Sequence, residues 1–131
     1  MSIAEQIKSK ILSIAPNINT RKIGVEIESF YYDDNELSRL PVNSMSRYSA
    51  SDLLNDITIE TKRNKEKYSY SLEPGGQLEW ASSPQISLWE ITKEYSNHLE
   101  YQKQLCIKNN INIGHFSVEP ISSPRDIKLI D

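Results

Sequence analysis

The stretch Ser71-Leu72-Glu73-Pro74-Gly75-Gly76-Gln77-Leu78-Glu79-Trp80-Ala81-Ser82-Ser83-Pro84 constrains this chain more than any other. It holds two carboxylates, a Pro-Gly-Gly turn between them and a closing proline. Two of the four glycines in the chain stand side by side here. A glycine pair permits positive φ and a close backbone approach that side chains forbid. After the turn, Gln77 and Glu79 alternate with Leu78 and Trp80. In a strand, that alternation sends the amide and the carboxylate to one face and the apolar pair to the other. A surface strand would not need the glycines, and a core strand would not carry the acids. The stretch therefore predicts one wall of a polar cavity, with the rest of the chain supplying the other walls.

A partner for that wall lies upstream. Lys22–Tyr32 reads as the first strand, with Ile23, Val25 and Ile27 alternating with Gly24, Glu26 and Glu28. This is the cleanest period-2 signal in the chain. Glu26 and Glu28 share a face, about 7 Å apart at the strand rise. Two like charges that close repel unless solvent or a cation stands between them. Phe30 and Tyr32 continue the same face. A solvated acidic strand face is the plain alternative.

The remaining segments frame these two. Ser2–Ile14 reads as a helix opened by a Ser2/Glu5 capping box, with Ile3, Ile7, Ile11 and Ile14 on one face to pack on a sheet. Pro16–Thr20 is a polar turn. Asp33–Tyr48, broken by Pro41, shows no periodicity and reads as a loop or short irregular strands. Ser49–Asn64 reads as a helix capped by Ser51, with Leu53, Leu54, Ile57 and Thr61 as its stripe. Lys62–Lys67 is a charged, solvated turn. Tyr68–Leu72 is a strand leading into the Pro-Gly-Gly stretch. Ser87 and Glu90 form a second capping box, opening a helix to about Lys108. Its stripe is Leu88, Ile91, Tyr95, Leu99 and Gln102 or Leu105, and Asn109-Asn110 supplies a left-handed stop. Ile111–Val118 is the last strand, and Ile121–Asp131 a polar tail. No internal repeat stands out.

Composition closes off several functions. At 131 residues the chain is one domain or a piece of a larger one. A net charge of −3 gives no electrostatic case for nucleic acid or an anionic membrane. The longest apolar run is far short of the ~20 residues that span a bilayer. The first residues carry Glu5 and no apolar core of a secretory signal. A single cysteine, Cys106, rules out an internal disulfide and a Cys-based zinc site. These features predict a cytoplasmic protein. His98 and His115 lack a second ligand at metal spacing, so a structural role is the first reading for each. Cys106, at the edge of the long helix's apolar side, is expected to be buried.

Four carboxylates carry the possible chemistry: Glu26, Glu28, Glu73 and Glu79. If the two strands are neighbours, all four converge. Oxygen ligands without Cys or His suit hard cations, Mg2+ above all. Mg2+ held by carboxylates usually shares its coordination sphere with substrate phosphates, which points to phosphoryl transfer. No Walker motif and no G-x-G-x-x-G occurs. Acid–base use of a carboxylate pair, as in glycosidases, competes on spacing alone.

Gly24-Val25-Glu26-Ile27-Glu28 and Ser71-Leu72-Glu73-Pro74-Gly75-Gly76-Gln77-Leu78-Glu79 resemble the two signature stretches of the plant and proteobacterial glutamate–cysteine ligases. The second motif is the specific one. The Ala81-Ser82-Ser83-Pro84 continuation, the helix between the motifs and the long helix after them also resemble that family's amino-terminal part. The resemblance implies an α+β fold with a glutamine-synthetase-like antiparallel sheet, curved around a funnel and flanked by helices. It implies that ATP phosphorylates the γ-carboxylate of glutamate and that the cysteine amine then displaces phosphate. The product, γ-glutamylcysteine, is the first intermediate of glutathione synthesis. It also implies bound Mg2+, with Glu26, Glu28, Glu73 and Glu79 as metal ligands and Gln77 beside the substrate.

The resemblance covers the whole chain but only about the first third of such an enzyme. The basic residues expected to hold phosphates are missing: of the five arginines, none sits inside either motif. Residues 1–131 are therefore expected to be an amino-terminal fragment, inactive alone and completed by a separately encoded carboxy-terminal half. A carboxylate–amine ligase with another amine acceptor is the nearest relative of this reading. A non-catalytic metal- or nucleotide-binding remnant is the alternative from a different class.

Overall fold

A computed structural model describes residues 2–14, 21–43, 47–116, 118–120, 123 and 125. Within them the chain forms helix α1 (Ile3–Ile14), strand β1 (Glu26–Asp33), helix α2 (Ala50–Arg63), strands β2 (Ser69–Leu72) and β3 (Leu78–Ala81), helix α3 (Leu88–Asn109) and strand β4 (Ile111–Gly114). The strands make one antiparallel sheet in the order β2-β3-β1-β4. The expected turn at Pro16–Thr20 lies outside the described residues, as does nearly all of the tail 121–131.

Alternation decides which side of the sheet the helices cover. Tyr31, Leu78 and Ile111 pack with Leu53 and Ile57 of α2, while Trp80 packs with Ile91 of α3 and Tyr68. Leu53 and Ile57 are fully buried, each worth roughly 1.5–3 kcal/mol of transfer free energy. The cap of α2 is Ser49 rather than the expected Ser51. The Ser49 hydroxyl accepts from the Asp52 amide while the Asp52 carboxylate accepts from the Ser49 amide. Ser51 sits in the first turn and donates instead to the Val42 carbonyl at 2.8 Å.

The long helix differs from its predicted stripe. Ile91, His98 and Gln102 are buried, whereas Leu88 and Leu99 are exposed. The reason is a polar relay in the core. His98 Nδ1 lies 2.9 Å from the Tyr70 hydroxyl, and Gln102 Nε2 donates to the Tyr31 hydroxyl at 2.6 Å while standing 3.3 Å from His98 Nε2. Side chains that satisfy one another can occupy a core stripe in place of leucines. Ser87 caps α3 through the Trp89 amide rather than in a box with Glu90, and Asn110 ends it at φ 54° as expected.

Two strands are shorter than predicted. Ile23 makes only an isolated bridge, to Gln85, before β1 begins at Glu26. β4 ends at Gly114, where an added Cβ would stand 2.6 Å from the Tyr32 ring. Helix α1 has its capping box, with the Ser2 amide 2.6 Å from Glu5 Oε2. Its apolar face does not pack on the sheet as expected: Ile3, Ile7 and Ile11 are 76%, 55% and 63% exposed.

Candidate functional site

The Pro-Gly-Gly stretch is the loop of the β2–β3 hairpin. The Gly76 amide donates to the Glu73 carbonyl at 2.7 Å, and the Glu73 amide to the Gln77 carbonyl at 2.9 Å. Gly76 adopts φ 82°. This is a turn followed by a left-handed residue, the three-residue hairpin loop with a bulge, and it explains why glycine stands last in the loop. A Cβ at Gly76 would also meet Val42 Cγ2 at 3.0 Å.

Register then brings the two acidic motifs together. Glu28 lies directly opposite Glu79, and Glu26 opposite Ala81. Ser71 lies opposite Glu79 from the other side, and its hydroxyl donates to Glu79 Oε1 at 2.7 Å. The Glu73–Gln77 hydrogen bond extends the same ladder by one pair. By alternation Glu26, Glu28, Glu73, Gln77 and Glu79 all belong to the face away from α2 and α3. Glu26 and Glu28 are exposed, while Glu73, Gln77 and Glu79 are half-buried. Among the described residues the face is open around Glu26 and Glu28, rather than walled as the polar cavity that the sequence predicts, while Phe30 and Tyr32 farther along β1 are buried beside Arg39 and Glu119.

Directly opposed carboxylates destabilise a strand pair. Glu28 and Glu79 therefore form a place where a cation, or a hydrogen-bonding ligand, would relieve repulsion. Two adjacent carboxylates fit one side of a Mg2+ coordination sphere, since this ion keeps waters and phosphate oxygens as its other ligands. Glu26 is the next residue of this face along β1 from Glu28, and Glu73, just past β2 and opposite Gln77, lies diagonal to Glu79. Among the described residues no group of three or more His, Cys, Asp or Glu could hold a metal ion by itself.

The structure adds a cation that sequence reasoning missed. Arg39 pairs with Tyr32 in a short bridge, so both side chains share the carboxylate face. Its guanidinium lies 4.6 Å from the Phe30 ring centroid and donates through Nη2 to the Gly75 carbonyl. Burial lowers the guanidinium's pKa, and the nearby Glu119 and Tyr32 offset part of this. Tyr32 donates to Glu119 Oε1 at 3.0 Å, and burial, followed by Glu119, pushes its phenol up to about 12. No spacing signal could have found Arg39. It lies in the aperiodic segment 33–48, 36 residues from its partner Gly75.

The end of the hairpin is anchored as well. Ser82 Oγ accepts from the Val25 amide at 2.9 Å. Glu94 of α3 accepts from the Ser83 amide at 2.9 Å and from Gln85 Nε2 at 2.8 Å. The small residues after Trp80 thus join β3 to β1 and α3. His98 belongs to the other side of the sheet. The relay is satisfied when Nδ1 carries its proton toward Tyr70 and Nε2 accepts from Gln102, an assignment made from the network. Burial holds the imidazole down at about 4. Burial also pushes the Cys106 thiol up to about 11, which argues against nucleophilic use. Cys106 lines a cleft of about 600 Å3 with Leu99, Ile107 and Ile111, and none of the candidate carboxylates borders that cleft.

Compared with known proteins, the chain matches no family model, and no curated protein matches it. Among the described residues no helix is long and apolar enough to cross a membrane.

Proposed function

We propose that this chain is the amino-terminal part of a glutamate–cysteine ligase of the plant and proteobacterial type. Its four-stranded sheet would then be one section of a larger, glutamine-synthetase-like antiparallel sheet. The observation that supports the reading is the register of β1 on β3, which sets Glu28 against Glu79 and carries both acidic motifs on one uncovered face. Glu28 and Glu79 would hold Mg2+, with Glu26 and Glu73 beside them. A Mg2+ ion held by these carboxylates would supply positive charge to offset that of ATP phosphates during transfer to the γ-carboxylate of glutamate. Ser71 fixes one Glu79 oxygen and leaves the other to a ligand. Gln77, with both donor and acceptor, is placed to orient a substrate next to the acids. Cysteine would enter as the amine that displaces phosphate. An acceptor amine other than cysteine fits the same wall.

The openness of the face supports a second reading, a non-catalytic chain that binds a metal–nucleotide. One assay separates the two. The purified chain, given ATP, Mg2+, glutamate and cysteine, is expected to form no γ-glutamylcysteine. Adding a separately encoded carboxy-terminal half should restore synthesis, and Glu28→Gln or Glu73→Gln should abolish it with little loss of folding. Synthesis unaffected by both substitutions would sink the metal assignment. Nucleotide binding without synthesis, with every candidate second half, would favour the non-catalytic chain.

A further inference from the structure

We infer that Arg39 is a positioning residue that ties the Pro-Gly-Gly turn to the end of β1 and so keeps the hairpin's acids aligned with Glu28. The inference rests on the reading of this face as a metal–phosphate site. Four observations carry it. First, the β1–β3 ladder ends at Ser29↔Leu78, so the turn bearing Glu73 and Gln77 extends past it. Second, the edge of β1 beyond that point is taken by residues 38–40: the Leu40 amide donates to the Tyr31 carbonyl at 2.9 Å and the Asp33 amide to the Ser38 carbonyl at 2.8 Å. The segment therefore abuts the turn end to end. Third, Arg39 spans the junction, lying over Phe30 of β1 while donating to the Gly75 carbonyl of the turn. Fourth, both loop glycines lie within ordinary contact distance of the guanidinium. A Cβ at either Gly75 or Gly76 would stand 3.7 Å from Arg39 Nη2.

Only arginine serves both ends at once. The planar guanidinium stacks on an aromatic face and donates in its own plane, whereas an ammonium is a compact point charge. Phe30 lies one position along the same strand face from Glu28, so a turn locked onto Phe30 is locked relative to Glu28. Glu119 and Tyr32 supply the other charged and titratable groups beside Arg39. Arg39 thus acts on the candidate metal ligands through backbone, without touching them.

The test uses the full chain with Arg39→Met and Arg39→Lys and reads two quantities. Amide hydrogen exchange reports the turn directly at Glu73 and Gly76, with α2 amides as the internal reference. Arg39→Met should speed exchange at both turn amides by about tenfold, leave α2 unchanged, and be partly rescued by Arg39→Lys. Mn2+ titration reports the ligands: groups that orient metal ligands typically change affinity roughly ten- to hundredfold, so a loss near tenfold is expected in Arg39→Met. Turn exchange that does not change, or that rises only together with α2 in both variants, overturns the inference. Weaker Mn2+ binding with unchanged turn exchange overturns it too. Failure of the unaltered chain to bind Mn2+ would overturn the metal reading instead, and the exchange data alone would then decide for or against Arg39.

Discussion

On the helix side of the sheet, Ile27, Tyr31, Leu78 and Trp80 meet their partners inside the chain. α2 and α3 supply Leu53, Ile57, Ile91 and a satisfied relay of His98, Gln102 and two tyrosine hydroxyls. On the other side of the same strands, Glu28 and Glu79 are paired with each other, and only Ser71 donates to them among the hydrogen bonds of the described residues. The two faces differ by one residue of phase, yet one is packed by helices, with the Tyr68 hydroxyl and Trp80 Nε1 left without a hydrogen-bond partner among the described residues, and the other is not. A face that stabilises the fold needs nothing further. A face that opposes like charges gains stability from any cation or donor that comes between them.

The largest expected effect belongs to the helix-packed face. Trp80 is 1% exposed, and Trp80→Ala should cost about 3–5 kcal/mol in urea denaturation, a large fraction of the roughly 5–15 kcal/mol that holds a domain folded. A loss below ~1 kcal/mol would break the comparison at its stronger end.

The next effect is acid sensitivity in the same core. His98 is held at about 4, below its ordinary 6.5, so the folded state resists protonation. Its contribution to stability is complete above pH 6.5 and is lost as pH falls from 6.5 through 4, by up to about 3 kcal/mol. Stability measured across that window should fall in the unaltered chain and fall less in His98→Gln. Parallel curves would show that acid acts elsewhere.

The smallest effect should come from the open face. Glu28→Gln removes one of two opposed charges, so folding stability should stay within about 0.5 kcal/mol and shift upward if at all. A loss above ~2 kcal/mol would mean that Glu28 is structural, and the contrast between the faces would collapse.

The sequence rendered the elements well where pattern was local. The alternation of Ile27–Glu28 and Leu78–Trp80, the Ser2/Glu5 box and the Asn110 stop all depend on near neighbours, and all appear in the structure. The errors share a different cause. Ser51 lost the cap to Ser49 because Asp52, three residues beyond Ser49, could reciprocate. Ile91 and Gln102 kept their places in the α3 stripe, while Leu88 and Leu99 lost theirs and His98 entered it because Tyr70 comes from a distant strand. The isoleucines of α1 gave a helix but could not specify a surface to meet it. For the candidate site, the shared face of the acids was legible, since strand period fixes it. The direct opposition of Glu28 and Glu79 was not, because register depends on the hairpin as a whole. Arg39 was invisible for the same reason.

Of the glycine pair, which most distinguishes this chain as a sequence, Gly76 is held by packing rather than by chemistry. Gly76 is required by its φ and by Val42, and Arg39 lies against the pair. Gly75 differs, because an added Cβ there would meet Gln77 Oε1 at 2.7 Å. Two clocks therefore run in one motif. In a lineage that lost the ligand, Glu28 and Glu79 would be released from selection first, because their opposition only costs stability. Gly76 would persist as long as the hairpin folds. A descendant that kept Gly76 while losing the acids would carry the hairpin without the candidate site.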